Sequence, residues 1–243
     1  MNRARVLLTH LRGGDYAHAG DKEAIDLVMS KALELCPEIL NDPCLDVGSG
    51  FGGTAGYLQG LSFQSIHGID HDASAIEYAN KNYPECKFVH ADVNLIPEIY
   101  HPDTFSLIYL FNVLYAIEDK AKTVRDLFSV AKPGAILALF DYTAESPMSL
   151  KDFAERQMFP IEVKQLKTDL ENCGWVILEI TDLSTQFLHW YEATLDQLEE
   201  ESLRKQFLDE DLQQVKSTFT ALVGMLKKSQ IGGAAIYAQK PSM

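Results

Sequence analysis

The chain has 243 residues, of which 47% are hydrophobic and 23% are charged, and this composition predicts a folded globular protein rather than a disordered one. Acidic residues outnumber basic ones by 35 to 21, so the average surface repels nucleic acid and anionic membranes, and we expect neither as a partner. No stretch reaches the ~20 apolar residues that cross a bilayer, and the N-terminal apolar run is too short for a signal peptide, so we expect a cytoplasmic protein.

Short apolar runs alternate with amphipathic ones, which is the pattern of an α/β fold with a parallel sheet and helices on both faces. Strands are predicted at residues 44–47, 65–69, 88–91, 105–110, 135–140, 176–180 and 232–239. Helices are predicted at 22–35, 54–60, 73–82, 120–130 and 150–172, several of them ending at a glycine or proline that cannot continue the turn.

A long helical stretch separates the sixth and seventh predicted strands, where a bare α/β core needs only a short connection. Apolar residues recur there at spacings of three and four, so one helix has a continuous apolar face. We expect residues 185–229 to form a helical cap over the carboxyl edge of the sheet, or else a decoration that contacts no ligand. The remaining chain then divides into an N-terminal lid segment and helix at 1–36 and a core at 37–184 and 230–243.

The stretch DVGSGFGG at residues 46–53 follows a predicted strand and precedes a helix, so its glycines allow a sharp turn and a close approach of the backbone to a ligand. It fits a dinucleotide fingerprint through Gly48, Gly50 and Gly53, and an S-adenosylmethionine fingerprint that starts at Asp46. A carboxylate at Asp46 would repel a pyrophosphate and attract a cationic sulfonium ligand. The sequence therefore favours S-adenosylmethionine as the cofactor, with an NAD-dependent oxidoreductase as the alternative.

Polar residues also follow the second and third predicted strands. Asp70, with His71 after it, stands where a carboxylate accepts hydrogen bonds from both ribose hydroxyls. Asp72 is the expected N-cap of the next helix. After the third strand, Asp92 can accept from an adenine amino group, and Val93 offers a backbone amide and an apolar face. These strand ends predict one adenosine site.

Five segments follow one another along the chain in a specific order: LDVGSGFGG, IHGID, VHADV, FSLIYLFNVLYAI and VAKPGAILALFDY. With them the chain resembles the class I S-adenosylmethionine-dependent methyltransferases, from about residue 13 to residue 240. The resemblance implies a Rossmann-like sheet of seven strands whose last strand is antiparallel. It also places near the cofactor Asp46, Gly48, Gly50, Asp70, Asp92 and Asn112.

Three further features are similar to phosphoethanolamine and sarcosine/dimethylglycine N-methyltransferases: GGDYAHAGDKEAIDLV before the core, FDYTAE after the fifth strand, and the helical insertion. In that group the N-terminal segment closes over the cofactor, so the resemblance makes Tyr16, Ala17 and His18 candidate lid contacts. The similarity ends at the chemistry. The position of that group's histidine after the fourth strand is Ala116 here, and Arg156 is the one recognisable candidate for phosphate binding.

We expect methyl transfer to a nitrogen or oxygen of a small metabolite, most of all an amine. The methyl donor is already activated, so positioning and desolvation supply much of the rate. No catalytic residue is assigned, and the candidate bases or orienting groups are His18, Tyr115, Tyr142 and His189, each of which can equally be structural. Tyr142 together with Trp190 and Tyr191 could surround a cationic amine. A protein that binds the cofactor without catalysis is a further alternative.

Metal and disulfide chemistry are not indicated. The four cysteines form no C-x-x-C pair, so neither a zinc site nor a disulfide framework is expected. Asp141, after the fifth strand, offers one carboxylate, whereas Mg²⁺ prefers several oxygen ligands.

Overall fold

The computed structural model describes residues 3–144 and 158–242. Its sheet consists of β1 (Cys44–Val47), β2 (Ile66–Asp70), β3 (Lys87–His90), β4 (Phe105–Phe111), β5 (Ala131–Ala144), β6 (Val176–Asp182) and β7 (Ile231–Gln239). The strand order is β3-β2-β1-β4-β5-β7-β6, and β7 runs antiparallel to both of its neighbours. The predicted seven-stranded α/β fold with an antiparallel last strand is therefore confirmed.

The helices are α1 (Arg3–Leu11), α2 (Asp21–Leu35), α3 (Gly53–Gly60), α4 (Ala73–Asn82), α5 (Ile96–Ile99), α6 (Lys120–Val130), α7 (Val163–Cys173), α8 (Ser184–Leu198), α9 (Glu201–Arg204) and α10 (Asp209–Lys227). Within the described ranges, no helix is long and apolar enough to span a membrane. Side chains of β5 alternate between two cores: Phe140 packs with α2, α8 and α10 on one face, and Leu139 packs with α6 and α7 on the other. This burial on both faces is why residues 135–140 of the strand are all apolar.

The predicted helix at 150–172 is described only from residue 158 onwards, because residues 150–157 lie outside the described residues. Residues 158–162 are not helical, and α7 begins at Val163. Ile161 instead pairs with β5: its N–H donates to the carbonyl of Tyr142 at 2.8 Å, and its own carbonyl accepts from Ala144 at 2.9 Å. Pro160 favours this extended path, because a proline disfavours helical backbone in the residue before it.

Residues 185–229 are helical, but they pack on a face of the sheet as part of its core. The ring of Phe187 in α8 lies 4.7 Å from the ring of Phe140 in β5. Gly233 in β7 makes room for this helix, since a Cβ there would lie 2.3 Å from the Phe187 ring. Further along α8, Tyr191 reaches the hydroxyl of Tyr142 near the carboxyl end of β5. The predicted cap is thus anchored by aromatic packing.

The sheet reverses its direction of growth between β1 and β4. The chain adds β2 and β3 on one side of β1 and then returns to add β4 on the other side. Such a reversal leaves a crevice outside the carboxyl ends of the two central strands, where ligands bind in open α/β sheets.

Candidate active site

Two glycines after β1 have different surroundings. Both have left-handed backbone, with φ of 73° at Gly48 and 50° at Gly50. A Cβ on Gly48 would lie 2.3 Å from Cγ2 of Val113, so close packing requires glycine there. A Cβ on Gly50 would meet no atom within 4 Å. Gly50 is therefore the point at which a ligand can approach the backbone of the loop.

Asp70 holds the glycine loop against the end of β2. One of its carboxylate oxygens accepts from the Gly50 N–H at 2.8 Å, and the other accepts from the Asp72 N–H at 2.9 Å. Its side chain is 12% exposed, and each oxygen keeps a second lone pair for a ligand. Asp72 caps α4, as predicted, by accepting from the backbone N–H groups of Ser74 and Ala75.

A cavity of about 470 Å³ opens at the carboxyl ends of β1, β2, β3 and β4. The residues predicted to bind the cofactor that line it are Gly48, Gly50, Asp70, His71, Asp92, Val93 and Asn112. The rest of its described wall consists of Ala17, Val47, Ile69, Ala91, Val113, Tyr115, Ala116 and Ile117. This described wall includes two carboxylates and no lysine or arginine.

The polar groups of the wall suit a nucleoside that carries no phosphate. Asp70 and Asp92 offer carboxylate oxygens to hydroxyl and amino groups, and a pyrophosphate would meet those carboxylates with no cation to offset them among the described lining residues. Asn112 has a buried Nδ2 with no hydrogen-bond partner among the described residues, so it is a donor available to a ligand. S-Adenosylmethionine fits this donor set better than a dinucleotide does.

Residues 12–20 lie against three parts of the site. The backbone of Asp15 packs on Gly53, where a Cβ would lie 2.6 Å from the Asp15 carbonyl carbon. The N–H of Ala19 donates to Oδ1 of Asn112 at 2.9 Å, and Ala17 lines the cavity. The segment therefore covers both the glycine loop and the end of β4, which is where a lid would lie.

His18 and Tyr16, predicted as cofactor contacts, do not line the cavity. His18 is 3% exposed, and its Nδ1 lies 3.0 Å from the carbonyl of Ala19 while Nε2 lies 3.2 Å from the hydroxyl of Thr54. Because a carbonyl only accepts, Nδ1 carries the proton and Nε2 accepts from Thr54. Burial lowers the pKa of His18 to about 3. The imidazole is neutral and engaged at both nitrogens, and Tyr16 is buried against Tyr57.

Asp46 is buried beneath the glycine loop rather than exposed to the cavity. It is 3% exposed, it pairs in the sheet with Tyr109 of β4, and its Oδ2 has no hydrogen-bond partner among the described residues. Burial raises the pKa of Asp46 to about 8, although the neighbouring Tyr109 hydroxyl acts to lower it. Burial therefore opposes the negative charge that the sequence argument assigned to Asp46, and its side chain does not line the cavity.

Tyr115 stands in the cavity wall and is backed by a second tyrosine. Asp141 fixes the short turn that carries it, because its carboxylate accepts from the N–H groups of Val113 at 2.9 Å and Tyr115 at 3.2 Å. The ring of Tyr142 packs edge-on against that of Tyr115 at 5.1 Å, and its hydroxyl is hydrogen-bonded to that of Tyr191. Burial raises the pKa of Tyr115 and of Tyr142, so both remain neutral phenols.

His189, the remaining catalytic candidate, lies exposed on α8 and does not line the cavity. The next two residues are buried, with Trp190 7% and Tyr191 2% exposed, because successive residues of a helix point about 100° apart. Trp190 packs on Gly20, where a Cβ would lie 2.6 Å from the indole. Trp190 is thus a core residue. Tyr142 and Tyr191, the other two aromatic residues expected to surround an amine, contact each other. Arg156 lies outside the described residues.

Comparison with known proteins decides the family. A family model described as "Methyltransferase domain" matches residues 40–207. The chain belongs to this family. Phosphoethanolamine N-methyltransferase 1 of Zea mays is 26% identical over 90% of this methyltransferase chain and 44% of its own length. The Plasmodium falciparum phosphoethanolamine N-methyltransferase is 25% identical over 79% of this chain and 75% of its own. The chain spans less than half the length of the maize relative.

Solved structures share the fold of the whole described methyltransferase. Phosphoethanolamine N-methyltransferase 2 of Haemonchus contortus, in complex with phosphomonomethylethanolamine and S-adenosylhomocysteine, has a TM-score of 0.87 at 15% identity and covers 99% of this chain and 58% of its own. A candidate sarcosine dimethylglycine methyltransferase from Galdieria sulphuraria has a TM-score of 0.81 at 17% identity and covers 99% of both chains. The predictions of the methyltransferase family, of an enzyme and of S-adenosylmethionine as cofactor are confirmed.

Several wall residues of the methyltransferase site escaped the sequence prediction because they are apolar. Ile69 and Ala91 lie next to the predicted Asp70 and Asp92, and Ile117 ends the turn that carries Tyr115. Their position in the sequence could have indicated them. Ile69 and Ala91 lie at the carboxyl ends of β2 and β3, and Ile117 lies in the connection after β4. Parallel strands bring these ends to one edge of the sheet.

Proposed function

We propose that this methyltransferase binds S-adenosylmethionine in the 470 Å³ cavity and methylates the nitrogen of a small amine. The observation that carries the amine is the ring of Tyr115 in the cavity wall, backed by Tyr142 and its hydroxyl bond to Tyr191. A phenol ring attracts an alkylammonium through its face. The names of the relatives, phosphoethanolamine N-methyltransferases among them, support a nitrogen acceptor.

Several polar groups of the wall are proposed to hold the cofactor. We assign Asp70 to the ribose hydroxyls, Asp92 and Val93 to the adenine, and Asn112 with the loop at Gly50 to the amino-acid part. When bound, S-adenosylmethionine supplies a methyl group that a nitrogen lone pair accepts, while the electron pair of the carbon–sulfur bond stays on sulfur and a proton of the product ammonium passes to water. The protein orients the methyl donor and the acceptor and excludes water from between them.

Exclusion of water falls to residues 12–20, which lie over the glycine loop and bond to Asn112. Proton removal is not assigned to a side chain of the wall. Tyr115 stays a phenol because burial raises its pKa, and Asp141 uses its carboxylate to hold backbone N–H groups. The acceptor amine therefore loses its proton to solvent, and the rate should rise with pH towards the pKa of that amine.

Formation of S-adenosylhomocysteine, measured with the purified chain, S-adenosylmethionine and a panel of small amines, phenols and carboxylic acids, tests the proposal. We expect turnover of amines alone. Tyr115→Ala should raise the amine KM about tenfold, whereas Tyr115→Phe, which keeps the ring, should change it by less than about twofold. Preferential turnover of a phenol, or cofactor binding without methylation of any amine, would refute the amine assignment.

A further inference from the structure

We infer that the acceptor amine carries no phosphate or carboxylate group and reaches the site as a simple cation. This inference rests on the proposed amine methylation and narrows its substrate class. Three observations lead to it: the charge of the cofactor cavity, the contacts of Arg5 and Arg12, and the charge of an adjoining cavity.

The cofactor cavity offers no counter-charge to an anionic substrate. Its described wall carries the carboxylates of Asp70 and Asp92 and no lysine or arginine. A phosphate or carboxylate on the acceptor would add a negative charge beside these two groups without a cationic partner in that wall. The desolvation free energy of an unpaired anion in a partly closed site exceeds the free energy of its interactions there.

Arg5 in α1 and Arg12 in the covering segment both have partners, and neither lines a cavity. Arg12 forms an ion pair with Asp21 at 3.2 Å and donates to the carbonyl of His18, and its side chain is 7% exposed. Arg5 donates to the carbonyl of Asp15 at 3.1 Å and lies 4.3 Å over the ring of Phe51. These contacts hold the cover in place, and neither guanidinium lines a cavity, although each keeps a buried Nε without a partner among the described residues.

A second cavity, of about 420 Å³, adjoins the turn that carries Tyr115. The two are neighbours because Phe159, in its wall, donates its N–H to the carbonyl of Tyr115, and because Glu118 of the second cavity follows Ile117 of the first. Its described wall is acidic, with the carboxylates of Glu118, Asp119, Glu162 and Asp169 against the one ammonium of Lys120.

Lys120 supplies the one positive charge of this described wall, against four carboxylates. Its Nζ donates to the carbonyl of Ile117 at 2.7 Å and lies 5.7 Å from the centre of the Phe159 ring. Burial lowers the pKa of Lys120 to about 8. The carboxylates therefore dominate the field in front of Tyr115, and that field concentrates cations and repels anions.

Matched amine pairs that differ only in an anionic group test the inference: ethanolamine with phosphoethanolamine, butylamine with 4-aminobutyrate, and tyramine with tyrosine. The measurement is kcat/KM from S-adenosylhomocysteine formation, and we expect the member without the anion to be favoured at least tenfold. Glu118→Gln and Glu162→Gln should each raise the KM of an alkyl diamine about twofold at low salt and less at high salt. Glu201→Gln, an exposed change on α9, is the matched control.

The outcomes separate this inference from the proposed function. Preference for phosphoethanolamine or for the amino acids would overturn the inference and leave amine methylation intact. Cofactor binding without methylation of either member of any pair would overturn the proposed function itself. A KM that is the same in Glu118→Gln, Glu162→Gln and Glu201→Gln would overturn the assigned role of the acidic cavity.

Discussion

Replacing Asp46 with asparagine should change the pH dependence of the free energy of unfolding more than replacing any surface carboxyl does. Asp46 is 3% exposed and its Oδ2 has no partner among the described residues. Burial raises its pKa from an ordinary value of 3.8 to about 8. Between these values the folded protein holds a proton that the unfolded chain has released, so the group makes stability fall as pH rises from about 4 to about 8.

The size of the effect follows from the same two values. A difference of about four pKa units corresponds to about 6 kcal/mol at most, at about 1.4 kcal/mol per unit. Asparagine has nearly the same shape and cannot ionise, so Asp46→Asn should remove this loss. The free energy of unfolding of the variant, relative to the wild type, should therefore improve steadily between pH 5 and pH 8, by several kcal/mol in total.

Urea denaturation at pH 5, 6, 7 and 8, followed by circular dichroism, measures the difference. If the substitution also destabilises the protein by a constant amount, the free energies of unfolding at all four pH values shift equally. Their slope against pH then stays unchanged. Glu77→Gln, an exposed change on α4, is the control and should run parallel to the wild type. If Asp46→Asn also runs parallel to the wild type across this range, Asp46 is ionised in the folded protein and the reasoning from burial fails.

Three further predictions concern the loop, the turn and the buried imidazole. Gly48→Ala should weaken S-adenosylmethionine binding at least tenfold in calorimetric titration, because its Cβ would lie 2.3 Å from Val113 in left-handed backbone. Asp141→Asn should lower kcat about tenfold and change cofactor affinity less than about twofold, because an amide cannot accept every N–H that fixes the turn of Tyr115. Through His18, whose pKa burial lowers from 6.5 to about 3, stability should fall by about 1.4 kcal/mol per unit as pH drops below 6.5, and His18→Gln should remove that slope in urea denaturation.

A different outcome would contradict each of these three predictions. Gly60→Ala, in a helix with open space, is the control for Gly48→Ala, and equal affinities in the two variants would exclude a packing role for Gly48. Loss of cofactor affinity in Asp141→Asn would show that Asp141 holds the cofactor site rather than the acceptor wall. An unchanged acid slope in His18→Gln would mean that other groups set the acid stability.

The part of the cavity wall at the ends of β1, β2 and β3 was predictable because it depends on local order along the chain. Gly48, Gly50, Asp70 and Asp92 each follow a strand, and parallel strands bring their carboxyl ends together whatever the remaining packing is. Position along the sequence is then almost equivalent to position in space. The N-cap at Asp72 was predictable for the same reason, since its bonds reach only two and three residues ahead.

Side-chain direction and burial were not predictable in this way. Asp46 lies one residue before the end of β1 and is next to Tyr109, whereas Asp70 is the last residue of β2 and lines the cavity. A single strand does not reveal which of its faces a helix covers. His18 is paired with Thr54, 36 residues away, a contact that only the tertiary fold defines. His189 was a candidate base, but the rotation of α8 that buries Trp190 and Tyr191 leaves it exposed.

The cover of the cofactor site joins parts of the chain that are made at very different times. Arg12, just after α1, lies 5.7 Å from the centre of the Phe219 ring in α10, and His10 lies 5.4 Å from Phe207. A ribosome adding about 5 to 20 residues per second needs about 10 to 40 seconds to pass from the first partner to the second. Throughout that interval the glycine loop and β4 can already fold, and α1 can already lie against Phe51. The contacts with Phe207 and Phe219 are thus the last that the N-terminal segment acquires.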